Sequence, residues 1–244
     1  GGQILLFADW RTTFVLLTVI GVFLAGATLI YQETLPREQR SANVTDSLKN
    51  FPTLLRDRYF LGHCLLQCFV FGAFFSYLSG SSFVFQNIYA VSPQGYSMIF
   101  AVIGTGLLLA GVLPARLAGR VPDIVMLKYS VLVPLCGSIL LLVGFVFTAP
   151  LTVILIVLFL TIVPLSVMGA ASFSLALSRQ GKNAGSASAL IGCFSMLLGA
   201  CMMPVVGIAG DHTAIPMGII MLTGYGLGTL VFYTMIAAEH PMMH

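Results

Sequence analysis

The feature that most constrains this chain is the length of its segments without charged side chains. The 57 residues 59–115 contain no Asp, Glu, Lys or Arg, and residues 12–32, 129–178, 183–210 and 212–238 are also free of them. A helix needs about 20 predominantly apolar residues to cross a bilayer. The two longest segments can each hold two such helices and the other three can hold one each. The sequence therefore predicts a membrane protein with seven spans.

The composition favours an all-α membrane protein and leaves little chain for a soluble domain. Only 8% of the residues are charged, against roughly 25% in ordinary soluble domains. We number the predicted spans first to seventh and place them at residues 12–32, 60–82, 96–115, 127–147, 151–177, 185–208 and 213–237. Prolines that we expect to kink these helices lie within spans or at their ends, at Pro114, Pro134, Pro164 and Pro204.

The positive residues alternate between the segments that connect the spans. Ten of the eleven Lys and Arg residues lie in residues 33–58, 116–128 and 179–184, which share one side of a membrane crossed seven times. Cytoplasmic loops carry the excess of Lys and Arg. We therefore expect these segments and the C-terminus in the cytosol, with Arg11 outside. Because this pattern accounts for the net charge of +3, we expect no nucleic-acid partner.

The N-terminal residues and the polar segment after the first span indicate two bundles. Residues 1–7 are apolar but too short to cross a bilayer, so we interpret them as the end of an earlier helix. The alternative is that Gly1 and Gly2 are a cloning remnant. We expect residues 1–34 to be the end of an N-terminal bundle, residues 35–58 a central cytoplasmic loop, and residues 59–244 a six-helix bundle.

Four short motifs at the ends of spans carry a resemblance to a known family. They are Asp9-Trp10-Arg11-Thr12-Thr13-Phe14, Glu33-Thr34-Leu35-Pro36, Val91-Ser92-Pro93-Gln94-Gly95-Tyr96 and Asn183-Ala184-Gly185-Ser186-Ala187-Ser188-Ala189-Leu190. With these motifs the whole chain resembles the major facilitator superfamily, and within it the drug:proton antiporters of the Bcr/CflA type, a multidrug resistance group. The resemblance implies that the seven spans are helices six to twelve of that fold, preceded by the end of helix five.

The resemblance also implies partners and a location. The partners would be a small apolar or amphipathic drug-like substrate, protons, the lipid bilayer and the missing N-terminal bundle of the same protein, in the cytoplasmic membrane of the cell. The implied antiport needs an intramembrane carboxylate, yet no Asp or Glu lies deep in a predicted span, where a charge costs about 2.5 to 3.5 kcal/mol or more. We therefore expect the coupling carboxylate in the missing N-terminal half.

The second span carries the candidate substrate site. At 100 degrees per residue, Gln67, Phe74, Tyr77 and Ser81 fall with His63 within an arc of about 80 degrees. Aromatic rings with a few polar groups are typical of drug-sized sites, so we predict that the first four line a cavity. The alternative is that these groups bond to neighbouring helices without touching cargo. His63 is either a proton-linked group, since the unperturbed pKa of histidine is about 6.5, or an interfacial histidine.

The sixth span is predicted to pack closely against another helix. Gly185, Ser188, Gly192 and Gly199 lie along one face, and small residues allow helices to approach each other in a membrane. All five cysteines lie inside predicted spans without CxxC spacing. We therefore predict no metal site, and no sequence motif indicates a cofactor.

Other functions fit the sequence poorly. A retinal protein needs a lysine in its last helix, and residues 212–238 contain none. A serine protease cannot pair Ser81 with His63, because 18 residues of one helix separate them by about 27 Å. We therefore predict that the chain is not an enzyme but the C-terminal part of a multidrug exporter, which exchanges drug for protons by alternating access. The alternative is a superfamily transporter of a metabolite such as a sugar or amino acid derivative.

Overall fold

The computed structural model describes residue 7 and residues 9–30, 50–208 and 213–239. Seven helices within these ranges are long and apolar enough to cross a membrane. In order, they are Trp10–Ile30, Arg58–Ile88, Pro93–Leu117, Asp123–Val146, Leu151–Ser178, Ala184–Gly207 and Ile215–Glu239. Each overlaps one predicted span, so the all-α membrane fold is confirmed. The predicted end of helix five and most of the predicted central loop lie outside the described residues.

The second span begins at a capping aspartate and ends later than predicted. Oδ1 of Asp57 accepts hydrogen bonds from the backbone N–H groups of Tyr59 and Phe60 at 3.0 and 3.3 Å, which satisfies donors that the first helical turn leaves free. A short helix, Phe51–Arg56, precedes this cap. The α-helix ends at Phe83 and continues as π-helical turns over Val84–Ile88, whereas the sequence predicted an end at residue 82.

The fifth span consists of two helices that meet at a proline. The first is Leu151–Ile162 and the second is Pro164–Ser178. Proline has no backbone N–H and its ring clashes with the preceding turn, so it interrupts a helix at this point. The break divides the span into two helices, of which the second also packs against the second and sixth spans.

The second span lies at the centre of the described bundle and packs against the sixth and seventh spans. Two glycines allow these helices to approach closely. A Cβ atom at Gly224 of the seventh span would lie 2.7 Å from the carbonyl oxygen of Phe69, and one at Gly199 of the sixth span would lie 2.5 Å from the ring of Phe75. The fourth span completes the bundle by packing against the fifth and seventh spans.

Polar contacts join three spans at the end of the bundle where the second span begins. The guanidinium of Arg179 lies 3.7 Å from the centre of the Tyr59 ring and forms an ion pair of 2.7 Å with Glu239. Arg58 donates a hydrogen bond of 3.0 Å to the carbonyl oxygen of Thr234. The ends of the fifth and seventh spans are thereby connected to the start of the second.

The first span differs from the others because none of its residues is buried. Its large apolar side chains are exposed along its length, including Leu17, Phe23 and Ile30. The hydroxyls of Thr18 and Thr28 donate hydrogen bonds of 2.8 Å within the same helix, to the carbonyl oxygens of Phe14 and Leu24. Such bonds satisfy a hydroxyl in lipid without a neighbouring helix.

Candidate functional site

The predicted face of the second span is largely enclosed by neighbouring helices. His63, Gln67, Tyr77 and Ser81 are all buried, and Phe74 is half-buried. We call His63 and Gln67, which lie nearer the start of the second span, the inner polar pair, and we call Phe74, Tyr77 and Ser81, which lie nearer its end and contact aromatic rings, the outer group. The two groups meet different spans.

The inner polar pair contacts the second helix of the fifth span. Nδ1 of His63 lies 2.9 Å from Oγ of Ser172, with donor and acceptor set by the tautomer of the ring. The side-chain amide of Gln67 donates a long hydrogen bond of 3.4 Å to the carbonyl oxygen of Gly169. The edge of the Tyr59 ring lies against His63, with 4.7 Å between ring centres. These contacts hold the polar face of the second span against the fifth.

The outer group contacts the start of the third span. Oγ of Ser81 lies 2.9 Å from the hydroxyl of Tyr96, within hydrogen-bond distance. The rings of Tyr77 and Phe100 stack with 5.9 Å between centres and 14° between planes. Tyr96 also contacts Phe100, with ring centres 5.5 Å apart. Tyr96 and Phe100 are therefore site residues that the sequence analysis did not identify.

Phe74 lies beside this outer group and joins it to other rings of the second span. Its ring centre is 6.1 Å from that of Tyr77, 6.3 Å from that of Phe71 and 6.0 Å from that of Phe75. Such spacings are typical of favourable aromatic contacts. The outer half of the second span therefore presents a continuous aromatic surface that ends at the third span.

An apolar cavity of about 640 Å³ lies between the third span and the first helix of the fifth span. It is lined by Val91, Gly95, Met98, Ile99, Val102, Ile103, Leu155, Ile156, Phe159 and Leu160. None of the predicted wall residues of the second span is among these. The structure therefore places Gln67, Tyr77 and Ser81 at contacts between helices, and none of the four predicted wall residues lines this cavity.

A tyrosine connects the two loops at the end of the bundle where the second span finishes. The hydroxyl of Tyr89 donates a hydrogen bond of 3.1 Å to the carbonyl oxygen of Ala149. Burial raises the pKa of Tyr89, so its hydroxyl keeps the proton that it donates. This bond joins the loop after the second span to the loop before the fifth.

The small residues of the sixth span occupy two different surroundings. A Cβ atom at Gly199 would meet the ring of Phe75, whereas one at Gly185 or Gly192 would meet no atom within 4 Å. Ser188 is half-buried. The described helices therefore approach this face closely only near Gly199. In the described ranges, no group of three His, Cys, Asp or Glu residues is arranged to hold a metal ion.

Comparison with known proteins gives one family and two relatives. The sequence profile of the Major Facilitator Superfamily matches residues 1–204. An uncharacterized MFS-type transporter of Bacillus subtilis, YdgK, is 37% identical over 237 residues, and a bicyclomycin resistance protein homolog of Haemophilus influenzae is 25% identical over 235 residues. Both alignments cover 96% of this chain but 59% of the relative, so the chain spans about three fifths of their length. No solved structure gives a significant match.

These findings agree with the architecture. Seven helices that are long and apolar enough to cross a membrane are consistent with the C-terminal half of a superfamily transporter, and the family profile covers most of the chain. The resemblance inferred from the motifs is confirmed at the level of the family. This chain belongs to the Major Facilitator Superfamily, a family of membrane transporters and not of enzymes.

Proposed function

We propose that this chain is the C-terminal part of a secondary active multidrug exporter that exchanges a drug-like molecule for protons. The observation that carries the proposal is the aromatic surface on the outer half of the second span, which includes Phe74 and Tyr77 and on which Phe100 of the third span stacks. Apolar rings with few polar groups suit cargoes of varied shape. The similarity to a bicyclomycin resistance protein homolog supports the same class of cargo.

The proposed cargo wall comprises Gln67, Phe74, Tyr77 and Ser81. In the described chain these residues contact neighbouring helices, so cargo would reach them when the contacts between the second, third and fifth spans rearrange. Alternating access in this superfamily moves two bundles about a site near the bilayer midplane. We propose that the outer group binds cargo, and that Gln67 borders the path by which cargo reaches it.

The first span supports the proposed division into bundles. It has no buried residue among the described helices, as expected if residues 1–34 belong to an N-terminal bundle that packs elsewhere. Residues 35–58 would be the central cytoplasmic loop and residues 59–244 the C-terminal bundle, with the C-terminus in the cytosol. Single cysteines at Gln86 and Asn183 test the orientation: the first should react with an external impermeant maleimide, the second only after the membrane is opened.

Proton coupling is expected to depend on the N-terminal half. In the described spans, the carboxylates of Asp123 and Glu239 lie at helix ends, where water can solvate them. His63 is our candidate for a proton-linked group within this chain. Protonation makes both ring nitrogens donors, which would change its contact with Ser172 and hence the packing of the second span on the fifth.

Alanine variants of the aromatic surface test the proposed cargo site. In the full-length transporter, Phe74→Ala and Tyr77→Ala should reduce resistance to some unrelated drugs much more than to others, because a multidrug site uses overlapping sets of contacts. Phe147→Ala is the control, since Phe147 is 77% exposed and lies beyond the end of the fourth span. A uniform loss of resistance that follows reduced membrane abundance would show that the surface is structural.

The coupling proposal has a separate test. Residues 1–244 expressed alone should insert into membranes but show no proton-driven efflux, because the coupling groups and half of the site are absent. Drug-dependent proton uptake by this segment in sealed vesicles would contradict the placement of coupling in the N-terminal half.

A further inference from the structure

Two tyrosines of the bundle have buried hydroxyls without a hydrogen-bond partner in the described parts of the chain, Tyr77 and Tyr225. Each side chain is 1% exposed. A buried hydroxyl that makes no hydrogen bond destabilises a fold, and such groups are rare enough that each one requires an explanation. In a span, where lipid offers no alternative partner, the cost persists unless another molecule supplies an acceptor.

The two tyrosines differ in what covers them. Phe100 stacks on the ring of Tyr77 and is itself 36% exposed in this chain. Tyr225 lies in the seventh span, and no aromatic ring of the described residues stacks on it. One face of Tyr77 is therefore covered by a partly exposed side chain, whereas no such ring lies on Tyr225 in the described residues.

Tyr96 is held by a hydrogen bond, whereas the described contacts of Phe100 are ring contacts. Its neighbour Tyr96 is hydrogen-bonded to Ser81, which fixes one edge of the stack to the second span. Phe100 contributes only ring contacts, to Tyr77 and Tyr96. Partly exposed side chains change rotamer rapidly compared with helix movements. Phe100 therefore combines partial exposure with contacts that a change of rotamer would break.

We propose that Phe100 is a movable cover over Tyr77, and that the Tyr77 hydroxyl donates a hydrogen bond to cargo. A planar aromatic group of the cargo replaces the Phe100 ring on Tyr77, and an oxygen acceptor of the same molecule, such as an ester or amide carbonyl, binds the hydroxyl. The inference rests on the proposed exporter function and specifies its cargo as planar molecules that carry an acceptor. Phe100 and the hydroxyl of Tyr77 then determine specificity.

Two dyes that share a planar ring system test the stacking on Tyr77 and the hydrogen bond from its hydroxyl separately. Rhodamine 6G and pyronin Y both contain a xanthylium ring, but only rhodamine 6G carries an ester carbonyl. In the full-length transporter, Tyr77→Phe should raise the apparent KM for rhodamine 6G by about 3- to 10-fold, the range of a single neutral hydrogen bond. The apparent KM for pyronin Y should stay unchanged, because the ring that it stacks on remains.

Tyr225→Phe is the matched control, since it also removes a buried hydroxyl without a partner from the described bundle. Both Phe variants should match or exceed the thermal stability of the parent, and Tyr225→Phe should leave the apparent KM for both dyes unchanged. Equal apparent KM values of the two variants for rhodamine 6G would overturn the assignment of the Tyr77 hydroxyl. A lower thermal stability of Tyr77→Phe, together with an equal rise in the apparent KM for both dyes, would overturn it as well.

Phe100→Ala tests the cover. If Phe100 must leave Tyr77 before cargo binds, its removal should lower the apparent KM for both dyes, and a rise for both would show that Phe100 is a fixed part of the wall. Failure of the underlying function gives a different result. A full-length transporter that confers resistance to no drug overturns the proposed function, whereas one that exports other drugs but neither dye overturns only the present inference, as does export of rhodamine 6G that Tyr77→Phe leaves unchanged.

Discussion

The first and second spans are both long enough to cross a membrane, yet they relate to the bundle in opposite ways. The first has Arg11 and four threonines as its polar residues, and none of its residues is buried. The second contains His63 and Gln67, and it is surrounded by the third, fifth, sixth and seventh spans. The span with more polar and small residues is therefore the one at the centre of the described bundle.

The difference follows from what holds helices together in lipid. Lipid tails are as apolar as leucine, so an apolar surface gains little by leaving them for another helix. Close packing of small residues and hydrogen bonds between helices supply the attraction instead. The apolar content of a span thus indicates that it crosses the membrane, while its small and polar residues indicate that it packs against other helices.

The largest effect is expected from filling the contact between the second and seventh spans. A side chain at Gly224 meets the backbone carbonyl of Phe69 and the Cβ atom of Ala73, neither of which can rotate away. Gly224→Leu should therefore destabilise the bundle by about 3 kcal/mol or more. Thermal unfolding of the detergent-solubilised transporter, with membrane abundance, measures this loss.

The matched variant in the first span is Gly21→Leu. A Cβ atom at Gly21 meets nothing within 4 Å in the described chain, so this variant should leave the stability of the described bundle unchanged. A loss equal to that of Gly224→Leu would show that the first span packs against a helix outside the described residues through this face.

A smaller effect is expected within the sixth span. Gly199→Ala places a methyl group against the Phe75 ring, which is a side chain and can shift, so the cost should be about 1 kcal/mol. Gly192→Ala on the same helix meets no neighbour within 4 Å and should be neutral in this bundle. Equal losses at the two glycines would contradict the division of this face into packed and open parts.

Much of this architecture could be predicted from sequence, because the absence of charged residues and the helical periodicity are properties of single segments of the chain. The charge-free segments predicted all seven spans. Periodicity placed His63, Gln67, Tyr77 and Ser81 on one face, and all four are buried. Whether that face binds cargo stays a prediction, since its contacts here are with other helices.

The remainder depends on which helices are neighbours, and a single sequence does not specify that. Tyr96 and Phe100 became site residues only because the third span lies beside the outer half of the second. The spacing of small residues likewise predicts that another helix can approach closely, but it does not predict at which of these residues the other helix lies. That is why Gly199 meets Phe75 while Gly192 lies open.

The hydrogen bond between the second and fifth spans should contribute less than the packed glycines. A double-mutant cycle with His63→Ala and Ser172→Ala should give a coupling energy of about 0.6 kcal/mol, the average for such pairs in membranes. Thr18→Ala in the first span is the control, because its hydroxyl bonds within its own helix. Zero coupling would mean that the two side chains do not depend on each other.

The smallest effect concerns two arginines that lie over aromatic rings. In the first span, Arg11 lies 4.8 Å from the ring centre of its neighbour Trp10. At the start of the second span, Arg179 comes from the fifth span and lies 3.7 Å from the ring centre of Tyr59, while its ion pair with Glu239 joins the seventh span. Only the second pair connects different helices.

Replacing each arginine with lysine keeps the charge but removes the planar guanidinium that stacks on a ring. Arg179→Lys should lower the stability of the bundle by about 0.5 kcal/mol, because the side chains of Arg179 and Glu239 are 43% and 38% exposed and solvent weakens such pairs. Arg11→Lys should leave thermal unfolding unchanged, since its contact lies within one helix. Equal losses of stability in the two variants would mean that the contact between arginine and ring determines the effect, whether or not it connects two spans. The contrast between the first and second spans would then not hold at their ends.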